Sequence, residues 1–236
     1  MSSSPPAFWT VCKAGFLRNR VPSVILQLFA VGILLLYFLA PGLRGSFEAI
    51  GHLKATGGVW FAIVSTSIFG GLIPWMVMVH RGRIPKGERG KQLLFFLLFW
   101  ALQGAAVDWL YTRQTLWFGS GTSVKVLLTK MLVDQGPYNL IWATPNSLIL
   151  YGWKNAGFSW KGFRRQNPPS RLIHRYLTIQ VSAWVVWVPS VLMIYSLPPD
   201  LQIPLFNLVL CFFSLVLAFV SKDEEGVKQK FDQATT

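Results

Sequence analysis

The sequence predicts an all-α, multi-pass transmembrane helical bundle of about six spans, with both termini on the cytoplasmic side. Three observations carry that prediction. The chain is 53% apolar and only 13% charged, where soluble globular proteins carry roughly 25% charged residues. Its apolar residues form runs near the roughly 20 residues that a helix needs to cross a bilayer, and its cations gather in the gaps between those runs. With 11 Trp and 18 Phe in 236 residues and a mean hydropathy of +0.45, the apolar surface exceeds what one soluble core can hide and requires lipid.

Taken in order, residues 1–22 have serines, the bases Lys13, Arg18 and Arg20, and no acid before Glu48. They read as a short cytoplasmic end that orients the first helix, with a cleaved organelle address as the competing reading. Apolar runs predict spans over Ser23–Ala40, Val59–Val79, Gln92–Tyr111, Tyr176–Ser196 and Ile203–Ser221. A further span is expected between Val124 and Tyr151, although Lys125, Lys130, Asp134, Gln135, Asn139 and Asn146 make it the least hydrophobic. Residues 222–236 form a polar, mixed-charge tail expected to be solvated and partly disordered. Pro168 and Pro169 exclude a helix interior and mark the tip of the largest inner loop.

Charge distribution supports counting the weak fourth span, because cytoplasmic loops retain Lys and Arg. With six spans, only Arg44, Lys54, Arg113 and Lys125 fall in outer loops and Lys130 falls inside a span. Without the fourth span, the loop holding Lys154, Lys161, Arg164, Arg165, Arg171 and Arg175 would lie outside. The basic inner loops therefore face anionic lipid headgroups. A net charge of +13 could also indicate nucleic acid, but no basic soluble face exists to bind it, so none is expected.

Helices in lipid associate through small residues that let backbones approach. Ala62, Thr66 and Gly70 recur every four residues on the second span, as do Ser67 and Gly71, and these are expected helix contacts. Ionisable groups within spans are more informative, since even insertion scales place a midplane charge at about 2.5–3.5 kcal/mol. Lys130 and Asp134 stand four apart, where opposite charges on one helical face can neutralise each other. Pro137 and Pro145 each remove a backbone donor and predict a kinked or broken helix; Pro189 is a third kink candidate. This polar, irregular span must turn toward protein or a water-filled cavity. Asp108 is expected either to meet Lys125 or Lys130 or to be a solvated interfacial carboxylate, while Gln27, Gln180 and Asn207 read as interhelical hydrogen-bonding groups.

Catalytic patterns are missing from the sequence. His52, His80 and His174 stand far from one another and from Cys12 and Cys211, so neither a local metal motif nor a disulfide framework can be read. Gly119–Ser123 lacks phosphate-loop spacing, and no nucleophile elbow occurs. No metal, cofactor or enzymatic activity is expected. Trp109, Tyr111, Trp117, Tyr151, Trp153 and Trp160 stand at span ends, as interfacial anchors do.

The run KMLVDQGPYNLIWATP, Lys130 to Pro145, resembles the Lys-x-Leu-x-Asp-Gln signature and Pro-containing helix of the twenty-two-kilodalton peroxisomal membrane protein family, which has mitochondrial inner-membrane relatives. Weaker likeness extends through YGWKNAG and Val188-Pro189, covering about residues 57 to 221. The departures are Leu140 in place of a proline and Asp108-Trp109-Leu110-Tyr111 in place of His-x-Trp-Tyr. Trp184-Val185 and Met193 also differ from the family pattern, and an extra first helix precedes the usual four-span core.

The resemblance implies a divergent, bacterial member that forms a channel for small hydrophilic metabolites. Read with the polar fourth span, it makes Asp108, Lys130, Asp134, Gln135 and Asn139 the candidate pathway residues. The rival expectation is a non-conducting scaffold whose Lys130 and Asp134 are structural, and a homo-oligomer is compatible with either. A bacterial inner membrane fits the charge bias; a peroxisomal or mitochondrial inner membrane is the alternative.

Overall fold

The computed structural model describes residues 8–234, with side chains for Leu17 and residues 20–216. The first seven residues of the basic N-terminal segment, and the side chains of Cys12, Lys13 and Arg18, lie outside the described residues. The described chain is helical, without strands: α1 (Phe8–Leu39), α2 (Arg44–Thr66), α3 (Ile73–His80), α4 (Arg89–Phe118), α5 (Val124–Val133), α6 (Thr144–Asn155), α7 (Trp160–Gln166), α8 (Pro169–Tyr195) and α9 (Pro199–Ala234). Wider π-type turns join α2 to α3 over Ser67–Leu72 and α5 to α6 over Asp134–Ala143.

Five helical stretches are long and apolar enough to cross a membrane: Arg20–Leu39, Pro41–His80, Lys86–Phe118, Pro169–Tyr195 and Pro199–Val216. The fourth span expected from the sequence, Val124 to Asn155, is made of α5, a wide turn interrupted at Gly136, and α6, and is not among the five. It has more residues than the roughly 20 that a crossing helix needs, so its shortfall is in hydropathy.

Several boundaries differ from expectation. The first helix begins at Phe8, ahead of the expected span, and contains Pro22, while its apolar part, Arg20–Leu39, matches the span expected over Ser23–Ala40. Arg44 and Lys54, expected in an outer loop, lie on α2, because the segment after Pro41 has no further proline and contains good helix formers such as Glu48, Leu53 and Ala55. That helix breaks only at Gly58, whose φ of 52° and ψ of −134° suit a residue without a Cβ. At the far end, α9 continues to Ala234 through most of the expected disordered tail, since extending an existing helix requires no new nucleus.

The chain divides into two compact units. One comprises Met1–Gln27 and Arg113–Pro198; the other comprises Leu28–Thr112 and Pro199–Thr236. In the second, the small residues of α2 and its wide turn admit α4 and α9. A Cβ on Gly104 would stand 2.5 Å from the Ala62 carbonyl oxygen, and one on Gly70 would stand 2.6 Å from Trp100 and 2.7 Å from Leu210. Ala62, Thr66, Gly70 and Gly71 are buried there, and the Ser67 hydroxyl donates to Ile63 O at 2.7 Å and to Leu97 O at 3.2 Å. Thr66 donates to Asn207 Oδ1 at 2.8 Å, and Asn207 Nδ2 donates to Ser65 Oγ at 2.8 Å.

The other unit is built on the Val124–Asn155 stretch and α8. Gly152 lets Phe163 of α7 approach, since an added Cβ would stand 2.5 Å from its ring. The N-terminal part of α1 reaches α8 through two side chains one turn apart. Ser23 donates to Val185 O at 2.9 Å, and Gln27 Nε2 donates to Val186 O at 2.9 Å. Pro189 explains the first bond: its missing N–H frees the carbonyl four residues earlier, which is Val185. α8 nevertheless runs unbroken through Pro189. The carbonyl that Pro189 frees is satisfied from a neighbouring helix.

Candidate functional site

The irregular middle of the fourth stretch follows from two adjacent residues. Gly136 takes φ −86° and ψ −107°, outside helical values, and Pro137 beside it has no N–H to continue the α ladder. The backbone widens to an i to i−5 pattern, closed where the Thr144 N–H meets Asn139 O. Pro145 then falls in the first turn of α6 rather than inside a helix. In the wide pattern its missing donor leaves Leu140 O free, and the Tyr176 hydroxyl of α8 supplies the bond at 2.9 Å. Trp184 Nε1, two turns further along α8, donates to Gln135 O at 2.8 Å. The break is thus at Gly136-Pro137, and two α8 side chains brace the segment.

Widening also changes which side chains share a face. On a regular α-helix, residues five apart diverge by about 140°, yet Asn139 and Thr144 meet, with the Thr144 hydroxyl donating to Asn139 Oδ1 at 2.8 Å. Asn139 Nδ2 donates to Gln135 Oε1 at 2.9 Å, and Gln135 Nε2 donates to Asp134 Oδ1 at 2.7 Å. From the other side, Gln114 Nε2 of α4 donates to the Tyr195 hydroxyl at 2.8 Å, and that hydroxyl donates to Asp134 Oδ2 at 2.6 Å. Two donor chains therefore converge on one carboxylate. All six residues are buried. Such directed chains polarise each bond toward the charge they end on.

Lys130 does not neutralise Asp134. The two form no ion pair within 4.0 Å, whereas Lys54 and Asp108 do. The cause is Tyr195, which gives its hydroxyl to Asp134 while its ring lies 5.6 Å, centroid to Nζ, from the Lys130 ammonium. Lys130 is nonetheless only 1% exposed.

Asp108 meets Lys54 of α2 at 2.9 Å, instead of the expected Lys125 or Lys130, because the helical Arg44–Thr66 segment carries Lys54 to α4. Gln27 and Asn207 bond across helices, but Gln180 does not: it is 2% exposed and both its amide atoms lack partners. The Tyr138 hydroxyl is also buried and unpartnered. Trp117 and Trp160 are exposed at helix ends and Trp109 is exposed within α4, whereas Tyr111 is buried against Phe206. Sequence reasoning missed Gln114, Thr144 and Tyr195. Thr144 carried a signal, its spacing of five from Asn139, that becomes readable only once the wide turn is known.

The outward face of the same stretch is apolar. Leu132 is 63% and Ile141 75% exposed, opposite the buried Asp134, Gln135 and Asn139. Polar groups inside and apolar groups outside invert the pattern of a water-soluble helix and suit lipid. With five apolar helices of spanning length, this defines the class: an all-α, multi-pass integral membrane protein. No family model matches the chain, and neither a curated protein nor a solved structure matches it.

Proposed function

We propose that this membrane protein, which performs no enzymatic reaction, provides a route for small hydrophilic solutes, lined by the polar Val124–Asn155 stretch. One observation carries the reading: Lys130 is buried, yet no carboxylate of the described residues lies within 4.0 Å of it. An uncompensated charge in a span is unfavourable enough that its default meaning is a functional site. The KMLVDQ run supports membership, as a divergent member, of the twenty-two-kilodalton peroxisomal membrane protein family and is consistent with channel function. The charge bias of the loops supports a bacterial inner membrane, with anionic headgroups against exposed Arg164, Arg165 and Arg171.

The two hydrogen bonds that Asp134 accepts, one on each oxygen, favour a second reading, a non-conducting scaffold in which the polar row fixes helix register. Cysteine substitution along residues 128–146, in protein lacking Cys12 and Cys211, separates the two. A membrane-impermeant thiol reagent should label positions on the Lys130 face if water reaches it. Protection along that whole face, with labelling confined to the ends, overturns the route and leaves the scaffold.

A further inference from the structure

We propose that Lys130 makes the route selective for small anions; the inference rests on the solute route proposed above. Hydrogen-bonding capacity is unevenly met along the buried row. An ammonium carries three donors and no acceptor, and the partner of Lys130 among the described residues is the face of the Tyr195 ring. A ring face attracts the cation but leaves its N–H groups available for a stronger acceptor. Asp134, the other charge in the row, is in the opposite condition, because Gln135 and Tyr195 each donate to one of its oxygens. Asp134 already accepts a donor on each oxygen, whereas a passing anion meets an ammonium whose N–H groups have no acceptor among the described residues.

Charge in the surrounding unit points the same way. Asp134 is the sole acidic residue in residues 1–27 and 113–198. The same segments carry Lys125, Lys154, Lys161 and the arginines at 164, 165 and 171, along with further cations. A low-dielectric protein with one sign of charge concentrates counter-ions of the other sign. Lys130 is the member of that set placed in the buried row.

The test is the reversal potential of purified protein in planar bilayers under a KCl gradient, repeated with potassium acetate. Wild-type protein should reverse toward the anion equilibrium potential in both salts. Lys130→Gln should lose at least half of that displacement, Lys130→Arg should retain it, and Asp134→Asn should keep the anion preference. Wild-type reversal toward the potassium potential overturns the assignment while leaving the solute route standing, and it requires no variant to fold. Anion preference unchanged in Lys130→Gln also overturns it. Absence of conductance in wild-type protein removes the route itself and this inference with it.

Discussion

The Tyr195 hydroxyl donates to Asp134 Oδ2 at 2.6 Å while the ring of the same tyrosine lies under the Lys130 ammonium. One side chain from the end of α8 thereby separates two charges that helical spacing alone would pair. Removing only the hydroxyl should be informative. Tyr195→Phe leaves an Asp134 oxygen and Gln114 Nε2 without this partner, and buried unsatisfied groups of that kind cost about 1–3 kcal/mol. Thermal unfolding in detergent, followed by tryptophan fluorescence, should show a lower Tm for the variant.

Lys54 and Asp108 form a mostly buried ion pair at 2.9 Å, with side chains 13% and 11% exposed. Removing one partner leaves the other charge uncompensated, so Lys54→Met or Asp108→Leu alone should destabilise by roughly 3 kcal/mol. The double variant should recover much of that loss. A double-mutant cycle from unfolding midpoints checks the coupling, and additive losses would show that the pair contributes no net attraction.

Pro189 and Ser23 should be coupled through a single carbonyl. Ser23→Ala takes the donor from Val185 O in a chain where Pro189 cannot replace it, and the expected loss is about 1 kcal/mol. In a Pro189→Ala background the restored backbone N–H serves Val185 O, so the same Ser23→Ala change should have a smaller effect. Equal effects in the two backgrounds, measured by denaturation, would exclude this link.

Two glycines should respond oppositely to the same substitution. Gly104→Ala directs a methyl to within 2.5 Å of the Ala62 carbonyl oxygen and 2.9 Å of Thr66, which backbone cannot yield easily, so a loss of about 1–3 kcal/mol is expected. Gly32, inside α1, has nothing within 4 Å of its absent Cβ. Gly32→Ala should be neutral or stabilise by roughly 0.5–1 kcal/mol through helix propensity. Thermal shift of the two purified variants distinguishes them.

Composition and the lengths of apolar runs determined that this chain is a helical, multi-pass membrane protein, because those quantities state how much surface must face lipid and how far each helix reaches. Pro137 was legible for the same local reason, as were the small residues from Ala62 to Gly71, because a missing donor or a missing Cβ acts within one turn; the part played by Gly136 was not read. Partner choice was not local. Whether Lys130 met Asp134 depended on Tyr195, sixty-one positions from Asp134 in the chain, and whether Asp108 met Lys54 depended on a loop-like segment being helical. The tertiary structure alone decided these, because a buried charge selects whichever donor or acceptor the packing brings to it, and a wide helical turn shifts every later side chain to a new bearing.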